Sequence, residues 1–409
     1  MKNFFNILGP GILFASTAIG VSHLVQSTRA GAGFGFALVV FVLMANIFKY
    51  PFFEFGSRYA NVTGESLIHG YRRQGIIFLI IYLLITLCSM FIVIAAVSLV
   101  CSGLMIELFD IQFNIRQVTL LLFVCCVIIL ISGRYNFLEN FVKLIAVVLL
   151  ISTFLAFIFA IFNGPVQKLD SFIPPNLFAD KSILFIIALM GWMPTAVDLS
   201  TWNSIWTVEK IKSESRKITL KETLLDFNIG YFLTIILSLC FVTLGAYVMY
   251  GTGEGLSNLN SSEFAGKLVG LYTITLGDWS YWIIAISAFS VMLSTTIACF
   301  DGYARSIQQT FELLFHTIYS YKIYLICLLL TAIGGYIIIW KFMNNFSQLI
   351  DLATTISFII APFCAILNHK LIHSKLVPKE SQPPFWLRIL SYLGIIYLIF
   401  FSLVFIIYI

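Results

Sequence analysis

The stretch Gly20-Val21-Ser22-His23 interrupts the first apolar segment of the chain, and Gly191-Trp192-Met193-Pro194-Thr195-Ala196-Val197-Asp198 interrupts a later one. Pro194 has no backbone N–H and disfavours helix at the residue before it, so the helical hydrogen bonds are expected to open there. Inside a bilayer, backbone that leaves a helix persists only where it lines a cavity or binds something. The two breaks are therefore where a functional site is expected.

Composition places the whole chain in a lipid bilayer. Of its 409 residues, 60% are apolar and only 11% are charged, and the mean hydropathy is +0.98. Ordinary soluble domains carry roughly 25% charged residues. Apolar runs of helix-spanning length recur along the chain, and strand-type alternation is absent. These features predict an all-α polytopic membrane protein that retains its first helix, and they exclude a nucleic-acid-binding role. The eight cysteines lie in or beside apolar runs and form no disulfide or zinc-ligand pattern.

Eleven membrane spans are predicted. Their bounds are about 7–30, 34–60, 76–106, 116–133, 137–162, 183–206, 224–250, 279–309, 322–341, 346–371 and 386–408. The sixth span begins five spans after the first, and five is odd, so two five-helix halves have opposite orientations. This predicts a 5+5 inverted repeat with broken helices one and six. Residues 1–371 would form one transport domain, with 1–162 and 183–371 as its repeats, and 386–408 would form a peripheral helix.

The distribution of Lys and Arg predicts the orientation of the chain. Of 24 such side chains, three lie within spans (Arg29, Lys49 and Arg58) and five lie in the loops of one side (Arg116, Lys168, Lys181, Lys267 and Lys341). The remaining sixteen lie in the loops of the other side. Positive loops stay in the cytoplasm. We therefore expect a plasma (inner) membrane protein with its N-terminus in the cytoplasm and its C-terminus outside.

Polar groups at the first break are candidates for binding. Counted from His23 in an α-helical register, Gln26, Ser27 and Ala30 fall on one face. His23 either binds a substrate or proton, or only bonds a neighbouring helix. Arg29 should repel cationic substrates unless a carboxylate neutralises it, and Asp198 is the natural candidate partner.

The second break offers further donors. Thr195, Asp198 and Thr201 recur at three-residue spacing, on one helix face. The Met193 thioether, the Asp198 carboxylate and the His23 imidazole together suit a borderline-soft divalent transition metal and poorly suit Mg²⁺ or Ca²⁺. Met193 alone is more often a core residue than a ligand. The full set of candidate substrate-binding residues is Gly20, Ser22, His23, Gln26, Gly191, Met193, Thr195 and Asp198, with His23, Met193 and Asp198 as candidate metal ligands.

The chain resembles a divergent member of the natural resistance-associated macrophage protein (Nramp) family. The resemblance covers all eleven spans and rests on Gly9-Pro10-Gly11, the run from Ala30 to Gly35, Leu138-Glu139 and Met193-Pro194. It implies a proton-coupled divalent metal transporter with a leucine-transporter-type fold. Two family motifs differ here. Gly20-Val21-Ser22-His23 stands in the place of Asp-Pro-Gly-Asn, and Thr195 stands where the family has a histidine.

Two transport functions remain open from these residues, and a transport-dead sensor is a third alternative. The first is a secondary transporter that moves a divalent metal such as manganese or iron by alternating access, with or without protons. The second keeps the fold but carries a neutral, zwitterionic or anionic small solute, held by helix N-termini, Ser22, Gln26, Thr195 and Arg29. No phosphate-binding loop, HExxH motif or paired nucleophile and base is present, so we expect neither an enzyme nor a bound cofactor other than a transported metal.

Two pairs of ionisable residues lie four residues apart within spans, Glu54 with Arg58 and Asp301 with Arg305. The carboxylate precedes the cation in each, an orientation that favours pairing on a helix. They are either structural ion pairs or parts of a proton pathway or inner gate. Arg29 is a further candidate for coupling or gating. Elsewhere, Lys143 is expected at the membrane interface, residues 209–226 are expected to contain a short surface helix, and a helix at 262–272 is a candidate external gate.

Overall fold

The computed structural model describes residues 9–132, 135–214, 216–253, 256, 259–316, 321–342 and 346–408, without the side chains of 135–146 and 342. Within them the chain forms fifteen α-helices. They are α1 (Pro10–Ala18), α2 (Thr28–Phe34), α3 (Val39–Thr63), α4 (Leu67–Gln74), α5 (Ile76–Phe109), α6 (Ile115–Ile131), α7 (Tyr135–Asn163), α8 (Asp180–Gly191), α9 (Ser200–Ser213), α10 (Leu220–Val248), α11 (Ser261–Leu276), α12 (Tyr281–Phe315), α13 (Tyr321–Phe342), α14 (Phe346–Ile372) and α15 (Phe385–Tyr408).

In the part of the chain that the structure describes, each of the eleven expected spans contains α-helix. Seven helices are long and apolar enough to cross a membrane by themselves, and α15 is the least buried of them. Span one consists of α1, a π-helical turn at Ser22–Ser27 and α2, whereas span six consists of α8, a 3-10 turn at Val197–Leu199 and α9. The prediction of an all-helical, multi-pass membrane protein with broken helices one and six is confirmed.

The predictions for two connecting regions had different outcomes. Residues 209–226 contain no separate surface helix among those described, because α9 runs to Ser213 and α10 starts at Leu220. The helix expected at 262–272 is present as α11, which begins at an Asn260 and Glu263 capping box. Its gating role stays a prediction. Lys2 and Arg134, and the side chains of Leu138, Glu139 and Lys143, lie outside the described residues.

The first half-helix is held against α10. Both Asp226 carboxylate oxygens accept backbone N–H bonds at its start, from Gly9 at 3.0 Å and from Gly11 at 2.7 Å. A carboxylate there satisfies otherwise unpaired N–H groups and complements the positive helix end. A Cβ built on Gly11 would lie 2.1 Å from the Asp226 carbonyl oxygen, and one on Gly230 would lie 2.0 Å from the Gly11 carbonyl oxygen. Only glycine permits this backbone contact.

The second broken helix is held equally tightly. A Cβ on Gly191, the last residue of α8, would lie 1.9 Å from the Thr354 carbonyl oxygen of α14. A Cβ on Gly56 of α3 would lie 2.6 Å from the Ser200 carbonyl oxygen at the start of α9. Each half of span six therefore contacts a different long helix, which fixes the gap between the halves.

Candidate functional site

The backbone at the first break differs from the expected α-helix. Ser22–Ser27 form a π-helical turn, which closes its hydrogen bonds at i+5 rather than i+4. The α-helical register expected for His23, Gln26 and Ser27 is therefore replaced by a wider turn. Their side chains reach three different helices or breaks.

His23 is bonded on both ring nitrogens and is completely buried. Nε2 lies 2.9 Å from the carbonyl oxygen of Thr234 on α10, so it donates a proton there. Nδ1 lies 2.7 Å from the Ser22 hydroxyl and 2.9 Å from the Ala18 carbonyl oxygen. The Ser22 hydroxyl itself donates to the Ala18 carbonyl oxygen, so Nδ1, this hydroxyl and this carbonyl form one cluster within span one. The geometry is that of a histidine joining two helices.

By the resemblance described above, Gly20 stands in the place of an aspartate, and there is little room there for a side chain. A Cβ on Gly20 would lie 2.9 Å from the methyl carbon and 3.2 Å from the hydroxyl oxygen of Thr295 on α12. Thr295 itself bonds the Ser16 carbonyl oxygen at 3.3 Å. The space that a carboxylate would need at this break is therefore filled by α12.

The second break contains a lysine that had no predicted role. Lys49 of α3 is fully buried, and its ammonium donates to the carbonyl oxygens of Met190 at 2.6 Å and Gly191 at 2.7 Å. A third, longer bond reaches the Thr195 carbonyl oxygen at 3.4 Å. The carbonyls at the C-terminal end of a half-helix carry partial negative charge, which favours a cation. The ammonium thus lies in the gap between α8 and α9.

Asp198 lies near this ammonium and interacts with it electrostatically. Its Oδ2 accepts a bond from the Ser89 hydroxyl of α5 at 3.3 Å, and the Tyr303 hydroxyl lies 3.5 Å from the same Ser89 oxygen. Its Oδ1 is buried without a hydrogen-bond partner. Because a buried carboxylate oxygen without a partner is costly, Oδ1 is a candidate contact for a cargo.

Met193 also faces the space between the breaks. Its sulfur lies 3.8 Å from the hydroxyl of Ser27, which belongs to the first break. This hydrogen bond joins the two breaks directly. Thr195 contributes its carbonyl oxygen to Lys49, and Thr201 bonds Tyr82 at 2.9 Å.

The expected pairing of Arg29 with Asp198 was wrong. Arg29 forms a bidentate pair with Asp351 of α14, at 2.6 and 3.0 Å, and bonds the Gln26 amide oxygen at 3.0 Å. Its guanidinium also lies 5.0 Å from the ring centre of Phe185. Arg29 pairs with Asp351 of span ten because α14, the helix of that span, packs beside α8, the first half of span six. Asp198 belongs to the turn before α9, the second half of span six.

The Arg29–Asp351 pair lines a cavity of about 730 Å³. We call this cavity the vestibule. The residues that line it come from the ends of α2, α8 and α14 and include Arg29, Lys181, Phe185, Gln348 and Asp351. Gln26 donates to Asp351 at 3.2 Å and to the Thr354 hydroxyl at 3.3 Å. Polar contacts therefore join the lining of the vestibule to the first break.

The two predicted helix pairs both form. The Arg58 guanidinium contacts Glu54 at 2.5 Å and donates to the Ser381 carbonyl oxygen at 3.0 Å. Asp301 accepts from Arg305 at 2.7 Å and from the Tyr324 hydroxyl at 2.8 Å. Each pair is completed by a group from another segment, as a structural ion pair would be. A role in gating or proton movement stays a prediction.

Sequence reasoning missed Lys49 as a site residue and Asp351 altogether. Both are ionisable residues inside an apolar span, a signal that by itself marks a functional candidate. Their partners are backbone carbonyls and a residue more than 300 positions away, which no local pattern shows. Among the residues that the structure describes, no three His, Cys, Asp or Glu side chains gather at one place.

Two half-helix pairs that meet inside a bundle, beneath a vestibule, define a membrane transporter of the leucine-transporter-type fold. The family model "Natural resistance-associated macrophage protein-like" matches residues 11–408. The chain belongs to the Nramp family, whose members are transporters and not enzymes.

Three relatives show how far the similarity extends. An uncharacterized protein of Pasteurella multocida is 35% identical over 98% of this chain and 92% of its own length. The divalent metal cation transporter MntH of Levilactobacillus brevis is 24% identical over 65% of this chain and 60% of its own length. A crystal structure of a mutant Eremococcus coleocola manganese transporter has 14% identity and a TM-score of 0.72, and the match covers 98% of this chain and 86% of that one. This last likeness shows the fold.

Proposed function

We propose that this Nramp-family chain is a secondary transporter that works by alternating access, and that its cargo is a small solute without divalent positive charge. Such a solute is neutral, zwitterionic or anionic. The observation that carries the proposal is the buried ammonium of Lys49, which lies within 2.6 to 3.4 Å of three carbonyl oxygens at the second break.

Electrostatics disfavours a dication beside this ammonium. At an effective dielectric constant near 20, a divalent ion about 5 Å from a unit positive charge is repelled by roughly 6–7 kcal/mol. Asp198 offsets part of this repulsion, but its single negative charge only equals the positive charge of Lys49. The formal charges of these four residues therefore sum to zero: Arg29 pairs with Asp351, and Lys49 and Asp198 carry one charge of each sign.

The donor set also differs from that of a transition-metal site. Gly20 supplies no carboxylate, and the space beside it is filled by Thr295. His23 has protein partners on both ring nitrogens. A metal would be left with one thioether, from Met193, and one carboxylate, from Asp198, below the four or more ligands that such ions usually take.

The contacts at the vestibule support alternating access. Arg29, Asp351 and Gln26 come from spans one and ten, and they close the space between the vestibule and the breaks. Opening these contacts on one side while the Glu54–Arg58 and Asp301–Arg305 pairs hold the other would expose the site to one side at a time.

A divalent metal is the second candidate, and specific observations favour it. Met193 is retained, Asp198 keeps a buried oxygen without a partner, and two relatives carry names of metal transporters. Proton coupling would accompany this function in the family that the sequence resembles.

Reconstituted liposomes separate the two candidates. Mn²⁺ uptake is measured with a trapped fluorescent chelator, with and without a pH gradient, in wild type and His23→Ala, with the Eremococcus coleocola manganese transporter as positive control. We expect no Mn²⁺ uptake above empty liposomes and, in a thermal-shift panel of small carboxylates, zwitterions and neutral solutes, stabilisation by at least one compound. Mn²⁺ uptake that Met193→Ala or Asp198→Asn abolishes would overturn the proposal in favour of the metal.

A further inference from the structure

The carbonyl oxygens at the end of α8 form a cradle for a cation. We use the term carbonyl cradle for the carbonyl oxygens of Met190, Gly191 and Thr195. They converge on one point because α8 ends at Gly191 and the chain turns back through Met193-Pro194 before the next helical turn. In transporters with broken helices, unwound carbonyls and the C-terminal ends of half-helices are the groups that coordinate a coupling cation.

In this protein the centre of the carbonyl cradle is occupied by a side chain. An ammonium has three donors and no acceptor, and the three bonds of Lys49 go to the three oxygens of the cradle. Lys49 has 0% of its surface exposed. It lies inside an apolar span, where a lysine without such partners would be costly. The Phe358 ring, with its centre 5.9 Å from Nζ, closes one side.

The charge balance around the carbonyl cradle also favours a cation at its centre. The cradle carbonyls and Asp198, whose Oδ1 is buried without a partner, make the gap negative. No lysine or arginine other than Lys49 donates a hydrogen bond to the cradle among the described residues. Without its ammonium, the gap would need another positive ion.

We propose that Lys49 is a tethered cation that takes the ion position of the second break, so that the protein needs no inorganic cation there. When the side chain is shortened, the vacated carbonyl cradle becomes a site for a small monovalent cation. The inference deepens the proposed function and rests on it, because it assigns the charge of the same site. It concerns a resident charge and not the cargo.

Two substitutions separate the ammonium from the volume of the side chain. Lys49→Ala removes both charge and bulk and leaves a space at the carbonyl cradle. Lys49→Met removes the charge but fills the space with an apolar chain of similar length. The melting temperature of each purified protein is measured in N-methylglucamine chloride and then in LiCl, NaCl, KCl or ethylammonium chloride, all at the same ionic strength.

We expect the wild-type melting temperature to be the same in every salt. In N-methylglucamine chloride, the melting temperature of Lys49→Ala should be lower than that of the wild type. In at least one small-cation salt it should rise by roughly 3 °C or more, and the rise should saturate with salt concentration. Lys49→Met should melt lower and not recover. Should Lys49→Ala resist purification, ethylammonium during extraction is expected to rescue it.

Three results would overturn the inference. They are a Lys49→Met protein as stable as wild type, a Lys49→Ala protein that no cation stabilises, and a wild-type protein that shows the same saturable stabilisation. Because the readout is stability and not uptake, this experiment tests the inference about Lys49 independently of the cargo experiment. Mn²⁺ transport by wild type would refute the proposed cargo but leave these melting curves to decide the role of Lys49.

Discussion

Breaking the Arg29–Asp351 pair should open the vestibule end of the site. Asp351→Asn keeps the size of the side chain and removes the charge that receives two guanidinium bonds, at 2.6 and 3.0 Å. Arg29 would keep its bond to Gln26 and its position over Phe185. The closed arrangement should therefore weaken without loss of the fold.

The magnitude follows from the geometry and exposure of the pair. Hydrogen bonds to charged groups contribute about 1.5–3 kcal/mol. The Asp351 side chain is 35% exposed, however, and solvent screens such a pair. We therefore expect the substitution to cost about 1–2 kcal/mol of closure, which changes the ratio of open to closed molecules by roughly 5- to 30-fold.

Thiol labelling measures this ratio. Thr354 is buried, bonds Gln26 and precedes Thr355 of the vestibule lining, so a Thr354→Cys protein reports access from the vestibule. Its reaction rate with a membrane-impermeant methanethiosulfonate reagent is compared in the presence and absence of Asp351→Asn, after subtraction of labelling at the native cysteines. Asp301→Asn is the matched control, because it breaks a pair with Arg305 at the opposite end. A labelling rate within twofold of the parent, or an equal increase with Asp301→Asn, would refute the assignment of this pair as the gate.

Two further predictions concern the second break. Gly191→Ala places a Cβ 1.9 Å from the Thr354 carbonyl oxygen, so it should lower the free energy of unfolding by about 1–3 kcal/mol. Gly270→Ala is the control, because a Cβ there has nothing within 4 Å and should not lower it. Thermal unfolding in detergent compares the two variants, and equal melting temperatures would contradict the close contact at Gly191. Lys49→Met and Asp198→Asn should each destabilise by about 3 kcal/mol, because each leaves a buried charge alone. The double variant should lose roughly 2–3 kcal/mol less than the sum, as expected for charges about 5–8 Å apart at an effective dielectric constant near 20, and simple additivity in the cycle would mean that they do not interact.

Sequence patterns were sufficient for the fold because they depend on local chemistry. Apolar runs of spanning length predict helices in a bilayer wherever they occur. Pro194 opens a helix in any surroundings, and so the break in span six followed from sequence. The break in span one was also predicted, but its π-helical turn was not, since Ser22–Ser27 carry no local signal for i+5 bonding.

The site was predicted less well, because its chemistry depends on partners far apart in sequence. Arg29 and Asp198 were expected to pair on charge alone, but Arg29 lies beside Asp351. His23 was a candidate ligand, but its Nε2 lies beside the carbonyl oxygen of Thr234, more than 200 residues away in the sequence. The pairs Glu54–Arg58 and Asp301–Arg305 were predicted correctly, since residues four apart on a helix are neighbours.

The sequence by itself determined that this is a helical membrane protein of the Nramp family with two broken helices, because hydropathy and proline act locally. Only the tertiary structure decided what surrounds the breaks. It placed the Lys49 ammonium on the carbonyl cradle, Thr295 against Gly20, and Asp351 against Arg29. The charge of a site inside a membrane is the sum over all helices that meet there, and packing decides which helices those are.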